Sequence, residues 1–154
     1  MNTAIETYTS STQASAAQHI LKSALTALGD GRISEVVDAF DDRFRFHDQA
    51  LQLQFTDKER LSEFFRKGHE LFPDTALEVI STFECGNNIV AEWKITAREI
   101  MLLGSLQLRL PISSQGASIV RIENQGIASW SDYYDQNTPR RFRLGAFFEE
   151  WIEY

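Results

Sequence analysis

Between Ala76 and Tyr134 the chain is almost wholly made of long runs whose side-chain character alternates residue by residue. They read "ALEVISTFE", "NIVAEWKITAREIML", "LQLRLPISSQGASIVRIE" and "GIASWSDYY", with turn residues between them. A period of two is the signature of strands with one face buried. Connections this short leave no room for a crossover, so neighbouring strands must run antiparallel. The resulting meander needs something to cover its apolar face. Pro111 and Gly116, inside the third run, predict a bulge or sharp bend.

The cover is encoded upstream. Ser15 and Gln18 form a capping-box pattern ahead of Ile20, Leu21, Ala24, Leu25 and Leu28, which fall on one helical face, and Gly29 ends it. After the turn "GDGR", "ISEVVDAF" predicts a short second helix. At Phe40 the period drops to two: in "FDDRFRFHD", Phe40, Asp42, Phe44, Phe46 and Asp48 share a face, with Asp41, Arg43, Arg45 and His47 on the other. "LQLQF" continues the alternation. Thr56 with Glu59 predicts the cap of a third helix, whose face is Leu61, Phe64, Phe65, Gly68, His69 and Phe72 and which Pro73 closes. At the far end, Thr138-Pro139 opens a C-terminal helix over 139–153, with Leu144, Phe147, Phe148 and Trp151 as its apolar stripe. Residues 1–14 are Ser/Thr-rich, without periodicity, and read as a flexible tail. The expectation is one α+β domain over 15–154: a bent antiparallel sheet covered by N-terminal helices, with an added C-terminal helix.

Charge and composition exclude several function classes. The net charge of -7 argues against nucleic acid and anionic membranes as partners. The short basic group Arg140, Arg141 and Arg143 lies beside Asp135 and reads as a local salt-bridge cluster. The single cysteine, Cys85, cannot form an internal disulfide and has no basic activator nearby. The first residues have neither the charge nor the apolar run of a signal peptide, and no segment is long enough to span a bilayer, so a cytoplasmic location is expected. With three histidines and no H-x-x-x-H spacing, no metal site is expected. No Gly-rich phosphate loop is present, and no cofactor is expected.

The order of elements, with "ALGDG", "FHD", "FPD", "EW", "GASIVRIENQGI" and "WSDYYD" at their positions, resembles the SnoaL-like branch of the nuclear transport factor 2-like superfamily. The likeness runs from about Ser15 to Tyr134. It implies a bent sheet wrapped into a cone around a pocket, helices covering it, and dimers packed through the sheet. The superfamily hosts polyketide cyclases, ketosteroid isomerases, epoxide hydrolases, dehydratases and non-catalytic proteins, so fold alone does not settle function.

Strand parity then nominates residues for the pocket. Trp130, Asp132 and Tyr134 share a face, as do Phe44, Phe46 and Asp48, and Trp93 shares one with Ala91 and Ile95. Asp48 and Asp132 are carboxylates on otherwise aromatic faces, where burial raises a pKa and suits a carboxyl for proton transfer. By resemblance, Asp48 matches the general base of ketosteroid isomerases, and Asp132 falls on the last-strand aspartate of limonene-type epoxide hydrolases. Around Ala117 and Ser118 there is no acid where the isomerases carry one, and Trp93 and Ile95 stand where the hydrolases have an arginine and a second aspartate. Trp93, Trp130, Tyr134, Phe44, Phe46 and His69 are candidate ligand contacts. His47 should face outward, and His69, on the buried face of its helix, reads first as a satisfied core histidine.

Two readings follow. One is a cofactor-free isomerase, cyclase or dehydratase that uses Asp48 and Asp132 on a small apolar carbonyl compound. The other is a non-catalytic ligand-binding or dimerisation module. Glu92, Lys94, Thr96, Arg121 and Glu123 mark the opposite sheet face as a polar homodimer interface.

Overall fold

The computed structural model describes residues 15–103 and 105–135. The expected tail, the helix over 139–153 and the basic group at 140–143 lie outside them. The elements are α1 (Ala16–Gly29), α2 (Ile33–Asp38), β1 (Phe40–Asp48), β2 (Leu53–Phe55), α3 (Lys58–Leu71), β3 (Ala76–Cys85), β4 (Asn88–Leu103), β5 (Leu106–Glu123) and β6 (Gly126–Tyr134). Helices before a curved sheet make the expected α+β cone. None of the described helices is long and apolar enough to cross a membrane.

Helix starts follow local chemistry. The Ser15 hydroxyl accepts from the Gln18 amide at 3.1 Å. At α3 the cap is Asp57, one residue later than the Thr56 expected: its carboxylate accepts from the Arg60 amide at 2.9 Å. A carboxylate there also meets the positive end of the helix dipole, which a threonine hydroxyl does not. Lys58 then donates to the Phe40 carbonyl at 2.7 Å, tying the start of α3 to the start of β1.

The six strands form one sheet in the order β2-β1-β6-β5-β4-β3. β3 to β6 make the antiparallel meander that their short connections require. One junction differs. β1 runs parallel to β6, with Phe46 beside Trp130 and Asp48 beside Asp132. The chain between these strands contains α3 and three other long strands, ample for the crossover that parallel pairing needs. Residues in register on neighbouring strands face the same side, so the two aspartates become neighbours.

The bulge expected at Pro111 and Gly116 is absent, since β4 and β5 pair without a break from Asn88↔Arg121 to Leu103↔Leu106. The Arg98 amide donates to the Pro73 carbonyl at 2.9 Å, away from β5. Its partner Pro111 therefore sits in a pair whose amides point apart, where a missing N–H costs no ladder bond. Gly116 has a different reason. It lies between Trp93 and Tyr134 in the ladder, and a Cβ there would come within 2.6 Å of the Trp93 ring and of the Tyr133 carbonyl. The register shifts occur instead between Phe40 and Arg45, Val79 and Ser81, and Arg121 and Ile122.

The core lies between the concave face of the sheet and the three helices. Leu21, Leu25, Val36, Leu61, Phe46, Ile127 and Trp130 are all buried. Phe40 stacks on Trp130 at 5.8 Å between centroids, and Phe46 meets Phe65 edge-on at 5.3 Å. Replacing Gly116 by alanine must displace the Trp93 ring or the β6 backbone. A loss of about 1–3 kcal/mol is expected from urea unfolding. An unchanged midpoint would mean that the indole has room to move.

Candidate active site

An apolar cavity of about 240 Å³ opens between the sheet, α1 and α3. Three of its polar groups share one row of the sheet. Asp48 on β1 pairs with Asp132 on β6, and Asp132 pairs with Ser118 on β5. All three line the cavity, with Trp93, Trp130 and Tyr134 around them.

The two carboxyls are held differently. Asp48 is 4% exposed. Its Oδ1 accepts from the Leu51 amide at 2.8 Å, in the turn after β1, and its Oδ2 accepts from the Tyr134 hydroxyl at 2.9 Å. Burial raises its pKa above the usual carboxylate range, while the Leu51 amide, the Tyr134 hydroxyl and the Ala50 amide pull it back. At Asp132 both donors go to one oxygen: the Ser118 hydroxyl and the Trp130 indole N–H each reach Oδ1 at 2.5 Å. Neither of these bonds goes to Oδ2. Burial above all, and then the neighbouring Asp48 charge, push the Asp132 pKa up to about 7, against the two hydrogen bonds. Asp132 is half-buried and lines the cavity.

Ser118 is the residue that strand parity alone did not single out. It is fully buried, a polar side chain in an apolar wall. It accepts from the Trp93 indole N–H at 2.9 Å and donates to Asp132. Its hydrogen-bonding capacity is thus used in a relay that fixes both the Trp93 ring and the Asp132 carboxyl. The legible signal was a lone hydroxyl at an inward position between Gly116 and Val120.

Of the other expected ligand contacts, Trp93, Trp130, Tyr134 and His69 line the cavity, but Phe44 and Phe46 do not. They lie on the same strand face as Asp48 but farther back along β1. There Phe44 packs on Phe40, and Phe46 packs on Phe55, Phe64, Phe65 and Trp130. His69 donates through Nε2 to the Leu28 carbonyl at 2.5 Å, so it joins α3 to the end of α1 while forming part of the wall. His47 lies off the cavity, with Nδ1 2.6 Å from the Gln49 amide nitrogen. Cys85 is exposed at the end of β3. Among the described residues no group of three or more His, Cys, Asp or Glu could hold a metal ion.

The raised carboxyls tie stability to pH. A carboxyl that binds its proton more tightly when folded stabilises the fold fully below the unfolded pKa, and that contribution is lost as pH rises through the folded value. For Asp132 the window runs from about pH 4 to about pH 7, and each unit of difference is worth about 1.4 kcal/mol. Asp48 acts in the same direction. The melting temperature should fall across this window more steeply in the native protein than in Asp132→Asn. Equal slopes in differential scanning fluorimetry would show that Asp132 is not the group responsible.

Comparisons with known proteins agree with this architecture. Residues 21–130 match the SnoaL-like domain family. A search of curated proteins gave no match. Among solved structures, a hypothetical protein with a ketosteroid isomerase-like fold from Catenulispora acidiphila DSM 44928, in complex with trimethylamine, is 15% identical with a TM-score of 0.66, covering 76% of this chain and 85% of its own. TsrD from Streptomyces laurentii is 19% identical with a TM-score of 0.67, covering 85% and 96%. An LEH-like epoxide hydrolase of M. tuberculosis is 15% identical with a TM-score of 0.63, covering 88% and 95%. At such identities the structures speak to fold alone, and the family match carries the assignment. With that match spanning most of the chain, from the middle of α1 to Trp130 on β6, the protein belongs to the SnoaL-like domain family.

Proposed function

We propose that this protein is a cofactor-free acid–base enzyme acting on a small, apolar, neutral carbonyl compound. The observation that carries this reading is the pairing of the buried Asp48 with the half-buried Asp132 in the wall of an apolar cavity, each with its pKa raised. Asp48 receives donors at both oxygens, which favours its ionised form relative to its neighbour. Asp132, with Oδ2 left over, is the proton donor. A ketone bound with its oxygen toward Asp132 and its α-carbon toward Asp48 would lose a proton from carbon to Asp48. The enolate oxygen would be stabilised by the Asp132 proton. Return of the proton to another carbon gives isomerisation, and attack of the enolate carbon on an internal carbonyl, whose C=O π bond opens and whose oxygen takes the proton from Asp48, gives cyclisation. Either closes the proton balance without an external reagent.

The test is exchange of α-hydrogens of a simple ketone in deuterated buffer, followed by NMR. Native protein should exchange them above the buffer rate. Asp48→Asn should abolish this, and Asp132→Asn should cut it by about 10²–10⁴-fold while sparing binding. One observation favours a second reading. Both oxygens of Asp48 already accept hydrogen bonds, as they would in a non-catalytic ligand-binding module. Binding of the ketone without exchange would select that module.

For assembly, we infer a homodimer through the convex face of the sheet. The polar residues expected there, Glu92, Lys94, Thr96 and Arg121, surround apolar side chains that parity had not emphasised. Phe83, Val90 and Ile119 lie side by side on β3, β4 and β5, with Phe83 61% and Ile119 41% exposed. Ile80 and Tyr133 extend the patch at 49% and 44% exposed. Such a cluster is unusual on a surface left to solvent. Sedimentation at micromolar concentration should give a dimer, and Ile119→Lys should shift it to monomer. A native monomer would overturn the inference.

A further inference from the structure

Gly68 stands on α3 in the face shared by Leu61, Phe64, Phe65 and Phe72, and it lines the cavity. Glycine within a helix is less favourable than alanine, so it calls for a reason. A positive φ is not the reason, since the described glycines with one are Gly31 and Gly86. Close packing is not the reason either, since a Cβ at Gly68 would meet nothing within 4 Å, whereas one at Gly29 would press on Leu77. What the missing side chain leaves is space on the cavity wall.

The rest of the cavity shows what that space would accommodate. Its two carboxyls, Asp48 and Asp132, sit side by side on β1 and β6. No Lys or Arg lines the cavity among the described residues, and its two carboxyls disfavour an anionic ligand.

Resting on the reading of the cavity as a carbonyl site, we propose that Gly68 is its specificity-determining position. The space left there receives the apolar body of a neutral ligand. A larger residue at 68 takes up that space, while the aspartates, on β1 and β6, are unchanged.

The experiment compares two neutral ketones, 2-acetylnaphthalene and cyclohexanone, titrated into the full-length protein and followed by the indole N–H resonances in NMR. Native protein should bind both. Gly68→Leu should weaken the naphthyl ketone by roughly tenfold or more and leave cyclohexanone within about twofold. Gly68→Ala serves as the folding control, with a melting temperature raised by roughly 1–4 °C. A lowered melting temperature for the alanine variant would show that the space is not open and overturn the inference. So would a leucine variant that binds both ketones as the native protein does, or loses both alike. If native protein binds neither ketone, the carbonyl-site reading itself fails, and the inference with it.

Discussion

The parallel register of β1 against β6 is the constraint on which the site depends. It sets Phe46 beside Trp130 and, one step along the same face, Asp48 beside Asp132. The first pair belongs to the aromatic core under α3, and the second to the open cavity. A slip by one residue would turn one strand's whole set to the other face, burying His47 or Arg45 and exposing a carboxyl. The packing of Phe40, Phe46 and Trp130 against one another and against α3 resists that slip, because large rings leave no alternative fit. The hydrophobic core thus holds the acids in place although it contributes nothing to their chemistry.

Placing two carboxyls side by side in an apolar wall is costly, and the fold does not solve this with a Lys or Arg among the described residues. No lysine or arginine is among the described residues of the cavity wall. Amides of the turn after β1 and the Tyr134 hydroxyl support charge at Asp48, while Asp132 keeps its proton up to about pH 7. Two neighbouring carboxyls treated this way titrate as a coupled pair. The Trp93–Ser118–Asp132 relay and the Trp130 indole then fix which oxygen of Asp132 remains available. Gly116 belongs to the same arrangement, since the Trp93 ring crosses the position its side chain would fill.

Much of this was legible in the sequence, and for a local reason. Alternation along a strand assigns each side chain to a face before any partner is known, so Asp48, Trp93, Trp130, Asp132 and Tyr134 were placed on inner faces by counting. Helix starts were legible to within a residue, failing only where Asp57 outcompeted Thr56 for the cap. Parity failed at Phe44 and Phe46. It specifies the face of a strand, but not which part of that face a helix covers and which part is left open. At Pro111 and Gly116 composition suggested a bulge, whereas the actual causes were an unneeded amide and a neighbouring ring.

What the sequence determined by itself was therefore the set of elements, the antiparallel meander and the inward side chains, because each follows from spacing along a few residues of chain. The tertiary structure alone decided that β1 meets β6 in parallel, that Asp48 and Asp132 stand in register, that Ser118 links Trp93 to Asp132, and that Gly68 opens on a cavity. These are relations between residues far apart in the chain. No local pattern encodes them, since they exist only once the sheet has curved and the helices have closed over its concave face.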